Sequence, residues 1–312
     1  MKINKKFLFI NIIILIITYF VCEYVSFVYE LWRAYPYFVD KNKVPFSKLV
    51  MSKNHYFLKN ICVDFDKLYQ KTEFRPIEGS QYTNKKPVVI FGCSYAYGAG
   101  LPDDQTFSHK LSEYTKRKVY NRAYNGWGPQ NMLYQVKRKD FYDIVKEEPE
   151  MIIYVFMSGH TMRAFTEIWA FENEIFYKDT KDSLKESYFR SGRLLYGYTA
   201  RQIRRLITTK KDCTQAAADF AIKHFTESKK EMEKHWKNTK YCIFVYSYND
   251  NKNFEKKYLE TLRNKDFIVI FADDITDKNI HSTEYRRSNF DEHPNEKAWD
   301  LLVPLFSKAA HL

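Results

Sequence analysis

Residues 87–100 read Pro-Val-Val-Ile-Phe-Gly-Cys-Ser-Tyr-Ala-Tyr-Gly-Ala-Gly. The apolar run 87–91 predicts a buried strand, and the glycines that follow it predict a turn. A strand without polar alternation is typical of a parallel sheet that is covered on both faces. Ser94 comes shortly after this strand, so we expect its side chain to lie at the edge of the sheet, where α/β proteins bind their ligands.

The same alternation of apolar runs and amphipathic stretches continues to the end of the chain. Further strands are predicted at 119–120, 151–157, 241–246 and 267–271, and helices from about 105 and at 130–146, 214–237 and 295–311, the last kinked by Pro304. This order predicts an α/β domain, residues 84–312, built as a three-layer sandwich around a mainly parallel sheet. Residues 164–213 fit the alternation poorly and are predicted to be an insertion near the site.

The first 83 residues are predicted to place the domain outside the cytoplasm. Residues 1–6 carry three lysines and form a predicted cytoplasmic tail, and residues 7–22 carry no charge. This run is slightly shorter than the roughly 20 residues of a usual membrane-spanning helix, and we interpret it as an uncleaved transmembrane anchor. A cleaved signal peptide is the alternative, but the bulky residues 19–21 do not suit cleavage. Residues 23–83 are interpreted as a juxtamembrane extension.

Charge and cysteine content narrow the class of protein. The net charge of +12 is interpreted as a lysine-rich solvated surface, and no RNA-binding signature indicates a nucleic-acid partner. The five cysteines are scattered without a Cys-x-x-Cys pair, which excludes a zinc ribbon and argues against a disulfide framework. Cys93 and Cys242 are predicted core residues, and a Cys62–Cys213 bridge is left open.

Three polar segments follow the predicted strands. The segment after the first strand contains Ser94; a phosphate-binding loop would need Lys-Ser/Thr after its last glycine, where this chain has Leu101-Pro102. Glycine at position 126 follows the second strand and would let backbone approach an oxyanion closely. His160 follows the third strand. Taken singly, each segment is equally compatible with a structural turn.

A fourth polar segment, Asp291-Glu-His293, stands before the last helix. A serine hydroxyl is a weak nucleophile at neutral pH and needs a base, which in turn needs an orienting carboxylate. Asp291 and His293, two residues apart on a predicted loop, could supply both. The alternative is that the segment only caps the helix through Asn295, with His293 incidental.

Together these segments resemble the SGNH/GDSL hydrolase family, over about residues 86–312. The resemblance implies a serine esterase or acyltransferase in which Ser94 is the nucleophile and Asp291 and His293 complete the triad. It also implies an oxyanion site made by Ser94 and Gly126, and it needs no metal and no organic cofactor. His160 stands near the place of the family's oxyanion asparagine and would donate a hydrogen bond instead.

This chain departs from the family pattern at two further points. Cys93 replaces the aspartate that usually precedes the nucleophile, and the last block has Asp-x-His instead of Asp-x-x-His. Two functions therefore stay open at this point. One is an esterase or O-acyltransferase acting on acyl, most simply acetyl, esters of a cell-envelope glycan. The other is a non-catalytic module of the same fold that binds glycan or organises an envelope complex.

Overall fold

The computed structural model describes residues 10–22, 24–25, 74–165, 176–179, 184–187, 215–247, 252–288 and 291–312. The chain divides into two compact units, Met1–Leu68 with Phe189–Lys211, and Tyr69–Tyr188 with Asp212–Leu312. The first contains a helix at residues 10–22. The second contains every strand and helix named below.

A five-stranded parallel sheet forms the centre of the second unit. Its strands are β1 (Val88–Gly92), β2 (Val119–Asn121), β3 (Met151–Phe156), β6 (Lys240–Val245) and β7 (Ile268–Phe271). They lie in the order β2-β1-β3-β6-β7, and each neighbouring pair is parallel. This is a doubly wound order: β2 is added on one side of β1, and β3, β6 and β7 are added in turn on the other side. The mainly parallel α/β architecture predicted from the sequence is confirmed.

Helices cover both faces of this sheet. They are α1 (Ser94–Tyr97), α2 (Phe107–Thr115), α3 (Pro129–Val136), α4 (Lys139–Ile144), α5 (His160–Phe165), α6 (Gln215–Met232), α7 (Lys252–Glu260), α8 (Ala272–Ile275) and α9 (Glu296–Ala310). Helices α2, α8 and α9 pack together on one face, and α3, α5 and α6 pack together on the other. The unit therefore has three layers.

Alternate residues of the strands build two separate apolar layers, because successive side chains of a strand point to opposite faces. On one face, Phe244 of β6 packs against Phe107 of α2 with ring centroids 5.8 Å apart. On the other, Phe91 of β1 packs against Phe141 of α4 at 5.6 Å, and Tyr154 of β3 against Phe225 of α6 at 4.8 Å. Both faces of the central strands are thereby kept from water.

Two antiparallel hairpins accompany the sheet. Strands β4 (Phe176–Asp179) and β5 (Leu184–Ser187) pair within the range predicted as an insertion. Strands β8 (Arg286–Ser288) and β9 (Asp291–Pro294) pair just before α9. The predicted loop position of Asp291 and His293 is wrong, because both residues belong to β9.

The predicted helix 130–146 is two helices. Arg138 between α3 and α4 is extended, with φ −101° and ψ 138°. Val136 and Phe141 are both fully buried, yet five residues of one straight helix would turn them roughly 140° apart. The break lets both side chains reach the core. At the other end of the chain, α9 continues through Pro304, and Asn295 caps it by accepting from the backbone N–H of Ala298 at 3.1 Å.

The remaining sequence predictions have mixed outcomes. Cys93 and Cys242 are buried in the core, as predicted. The Cys62–Cys213 pair lies outside the described residues. The transmembrane prediction for residues 7–22 is not supported, since no helix among the described residues has the length and apolar character needed to span a membrane.

Candidate active site

Ser94 lies at a sharp turn from strand to helix. It is the first residue of α1, two residues after the end of β1 at Gly92. Gly92 has φ 147°, and a Cβ at this position would lie 2.9 Å from both the Ala96 Cβ and the Val155 carbonyl oxygen. Only glycine fits this backbone without displacing β3 or α1. The turn therefore holds Ser94 at the carboxyl end of β1, where the connections that follow β1 and its neighbour β3 lie on opposite faces of the sheet.

A continuous chain of hydrogen bonds joins Ser94, His293 and Asp291. The Ser94 Oγ lies 2.7 Å from His293 Nε2, although 199 residues separate the two in sequence. The Nδ1 atom of the same imidazole lies 2.5 Å from Asp291 Oδ1. Since an ionised carboxylate only accepts, the ring proton is assigned to Nδ1, and Nε2 is left to accept from the serine hydroxyl. The structure thus brings together the three residues predicted as nucleophile, base and orienting acid.

The extended backbone of β9 explains the Asp-x-His spacing. Residues two apart on a strand point to the same side, so Asp291 and His293 both face Ser94, while the side chain of Glu292 between them is 73% exposed. The Asp291 Oδ1 atom also accepts from the backbone N–H of His293 at 3.1 Å. A short strand therefore fixes the carboxylate against its own histidine.

The electrostatics of Asp291 favour the ionised form. Burial alone would raise the pKa of this carboxyl, but hydrogen bonds from the His293 side chain and backbone, together with the charges of His293 and Arg287, hold the pKa below its usual value. Arg287 Nη1 donates to Asp291 Oδ2 at 2.8 Å. Asp291 is consequently an anion at neutral pH and can stabilise a protonated His293.

Two residues that were not predicted from the sequence contact the hydrogen-bonded triad. Tyr95 is buried, and its ring lies with its centroid 4.8 Å from that of His293. Arg287 contacts Asp291 from the adjacent strand β8. Neither has a local sequence signal, because each is identified only by the fold that brings residues 94–95 and 287–293 together.

The predicted oxyanion residue Gly126 lies in the loop after β2. Its φ of 76° is left-handed, which favours glycine. Two residues earlier in this loop, the Tyr124 N–H points to the Gly92 carbonyl oxygen at 3.4 Å, so the loop passes beside the turn that carries Ser94. The backbone N–H of Ser94 belongs to the first turn of α1, where N–H groups lack helical partners. The oxyanion roles of Ser94 and Gly126 stay predictions.

His160 lies in the protein interior. It has no exposed surface, and its Nδ1 accepts from the Met157 N–H at 3.3 Å and lies 3.1 Å from the Tyr154 hydroxyl. Burial lowers the pKa of His160 well below its usual value, so the ring is neutral. Its Nε2 is buried and has no hydrogen-bond partner in the part of the chain that the structure describes. This placement does not fit the predicted oxyanion donor, because a side chain without exposed surface cannot contact a substrate.

Arg75, which precedes β1 in the sequence, holds the loop that follows Ser94. Arg75 Nε donates to the Tyr97 carbonyl at 3.0 Å, and Nη2 donates to the carbonyls of Gly98 and Leu101 at 2.7 and 2.9 Å. Its guanidinium also lies over the Tyr97 ring, 4.7 Å from the centroid. Residues 97–101 are therefore fixed from outside the loop.

Within the described ranges, no group of three or more His, Cys, Asp or Glu residues could hold a metal ion.

Comparison with protein-family models and with curated proteins gave no match. Similar solved structures include a lipolytic protein of the G-D-S-L family from Desulfitobacterium hafniense, with 12% identity, a TM-score of 0.44, and coverage of 72% of this chain and 99% of that chain. An acetyl xylan esterase from the rumen bacterium Butyrivibrio proteoclasticus has 12% identity and a TM-score of 0.45, covering 73% of this chain and 63% of its own.

A family two carbohydrate esterase from Clostridium thermocellum, solved in complex with cellohexaose, has 10% identity and a TM-score of 0.44. The similarity covers 73% of this chain and 63% of that enzyme. This chain thus spans less than two thirds of the length of each of these two esterases. Identities and TM-scores this low carry no conclusion about function, which has to come from the hydrogen bonds that join Ser94, His293 and Asp291.

Proposed function

We propose that this chain is a serine ester hydrolase of the SGNH/GDSL type. The observation that carries the proposal is the 2.7 Å contact between Ser94 Oγ and His293 Nε2, with Asp291 on the far side of the imidazole. A nucleophile and base in a triad need hydrogen-bond distance, roughly 2.6–3.2 Å. A non-catalytic module of the same fold has no need of this geometry, so the contact supports the enzyme over the scaffold.

In the proposed reaction, Ser94 Oγ attacks the carbonyl carbon of an ester while His293 Nε2 takes the hydroxyl proton. The protonated His293 is stabilised by Asp291 and gives that proton to the departing alcohol oxygen, leaving the acyl group on Ser94. A water molecule then attacks the acyl carbon, His293 takes its proton, and the carboxylic acid leaves as Ser94 regains its hydrogen. If a sugar hydroxyl replaces this water, the same steps transfer the acyl group.

The backbone N–H groups of Ser94 and Gly126 are the proposed donors to the tetrahedral oxyanion. Loss of one such donor typically costs about 3–4 kcal/mol of transition-state stabilisation. Ser94 begins the helix that follows β1, and Gly126 lies in the loop that follows the adjacent strand β2. This shared edge supports their cooperation, since ligands of open α/β sheets bind there.

The proposed substrate is an acetyl ester on a cell-envelope glycan. The half-buried rings of Tyr97 and Tyr124, 5.4 Å apart, follow β1 and β2 on the same sheet edge as Ser94. A tyrosine side chain combines an apolar ring face with a polar hydroxyl, a combination that suits a sugar ring bearing hydroxyls. The extracytoplasmic location is also part of the proposal, because lysines followed by the uncharged run 7–22 are the pattern of a segment that directs export, whether or not it spans the membrane.

Labelling of the purified protein with a fluorescent fluorophosphonate tests the catalytic proposal. We expect covalent labelling of the wild type and none of Ser94→Ala, because only an activated serine reacts with this probe. Release of acetate from an acetylated polysaccharide, compared with release from p-nitrophenyl acetate, then tests the substrate class. Equal labelling of the wild type and Ser94→Ala would contradict the assignment and favour the non-catalytic module.

A further inference from the structure

Both oxygens of the Asp291 carboxylate are occupied by donors from the β8–β9 hairpin. His293 supplies its ring Nδ1 and its backbone N–H to Oδ1. Arg287 supplies Nη1 to Oδ2 at 2.8 Å. The side chain of Asp291 is only 9% exposed, so a carboxylate that turned away from either donor would lose a charge-assisted hydrogen bond with little water to replace it.

The guanidinium of Arg287 also contacts the loop that follows the proposed nucleophile. A Cβ added to Gly100 would lie 2.2 Å from Arg287 Cζ and 2.3 Å from each terminal nitrogen. The planar group therefore lies directly against the Gly100 backbone, which has a left-handed φ of 74°. Arg287 thus touches both the acid of the triad and the loop six residues beyond Ser94.

The neighbouring arginine gives a direct contrast. Arg286 precedes Arg287 on β8, and its side chain has the same 26% exposure. It lies 3.7 Å from Glu292, whose side chain is 73% exposed. An exposed pair at this distance contributes little, whereas the Arg287 pair is short and its carboxylate is buried. Two adjacent arginines of equal charge and exposure therefore have different partners: Arg286 has an exposed glutamate, and Arg287 has the buried carboxylate of the triad.

We propose that Arg287 is a positioning residue that fixes the orientation of Asp291, and through it His293, relative to Ser94. The proposal rests on the proposed esterase function. Arg287 joins the two halves of the site, because it belongs to the hairpin that carries the base and packs on the loop that follows the nucleophile. Since it acts through Asp291, its loss should lower kcat and leave KM unchanged.

The test compares Arg287→Gln, Arg287→Lys and the matched control Arg286→Gln in the full-length protein. For p-nitrophenyl acetate hydrolysis we expect Arg287→Gln to lower kcat about 10- to 100-fold, by analogy with the loss of a residue that orients a metal-binding side chain. KM should not change, and Arg286→Gln should match the wild type. Arg287→Lys keeps the charge but loses the planar contact with Gly100, and should recover part of kcat.

A second readout needs no catalytic activity. In 15N-histidine-labelled protein, the His293 Nδ1 proton should give a strongly deshielded NMR signal, because it is shared with a carboxylate. Arg287→Gln should shift or broaden this signal, and Arg286→Gln should not. If Arg287→Gln does not fold, Arg287→Met, which keeps much of the side-chain volume but removes the donor to Asp291, carries the same comparison, and an unchanged kcat and an unchanged signal in that variant would overturn the proposal.

The outcomes separate the two proposals. An active wild type whose Arg287→Gln variant equals Arg286→Gln in kcat and in the NMR signal would refute the positioning role and leave the esterase intact. A wild type that hydrolyses no ester, but whose His293 signal depends on Arg287 alone, would refute the proposed function and support the positioning contact.

Discussion

The two halves of the site are held in place in different ways. Ser94 is held in place by the backbone. Strand β1 is paired on both sides within the sheet, and the turn at Gly92 leaves no room for a side chain at that position. His293 is fixed mainly by side chains, because it belongs to a two-stranded hairpin outside that sheet and depends on Asp291. The position of the nucleophile Ser94 is therefore determined by steric fit, and the position of the base His293 is determined by electrostatic interactions.

Removal of either reacting group should have the largest effect. We expect Ser94→Ala and His293→Ala each to lower kcat for p-nitrophenyl acetate by a factor on the order of 10⁶, and the double variant to lose little more, because the residues act as a unit. The thermal melting temperature should stay close to that of the wild type. Independent, multiplying losses in the double variant would contradict the contact between Ser94 and His293.

The steric half of the comparison is tested at Gly92. Gly92→Ala should lower the free energy of unfolding by about 2 kcal/mol or more, since it combines a disfavoured φ with overlap against Val155 and Ala96. Gly159→Ala is the matched control: it also has a positive φ, 96°, but its Cβ would meet nothing within 4 Å. Urea unfolding measures both. Equal destabilisation would mean that backbone conformation alone, and not the close approach of β3, determines the need for glycine at 92.

The electrostatic half predicts a pH dependence of stability. The pKa of Asp291 is lower in the folded protein than its ordinary value, so its ionisation stabilises the fold above the unfolded-state pKa, near 3.9. That stabilisation should be lost as the pH falls from there through the folded pKa. Urea unfolding of the wild type and Asp291→Asn between pH 7 and pH 3 measures it. We expect the difference between them to shrink at the acid end, and a constant difference would contradict the assigned direction.

The same contrast explains what could be predicted from sequence. The buried strands and the turn at Ser94 are local features, carried by apolar runs and glycines. Asp291 and His293 were found because a nucleophilic serine needs partners of these types, but their strand was missed, since four residues with two charges show no clear alternation. Arg287 was missed because its partner Gly100 is 187 positions away, and only the folded chain brings the two together.

His160 shows where a resemblance misleads. Its position after β3 matched the family's block, and only the folded protein could show on which side of the strand the imidazole lies. Residues that follow a strand can continue toward the site or turn back onto the sheet. His160 does the latter, since its ring centroid lies 5.3 Å from each of the rings of Tyr154 and Phe156, which belong to the face of β3 covered by α6.

The smallest effect on turnover is therefore expected at His160. His160→Ala removes the acceptor of the Tyr154 hydroxyl, and an unsatisfied buried polar group costs about 1–3 kcal/mol, so the melting temperature should fall while kcat per folded molecule stays normal. His224→Ala, at a fully buried histidine of α6, is the control for loss of a buried imidazole. The opposite result would be a loss of kcat of about 10²- to 10³-fold in His160→Ala, as for removal of an oxyanion donor, with partial recovery in His160→Asn and no such loss in His224→Ala. The imidazole would then have to turn toward the substrate during the reaction. The packing role inferred from its burial would be wrong.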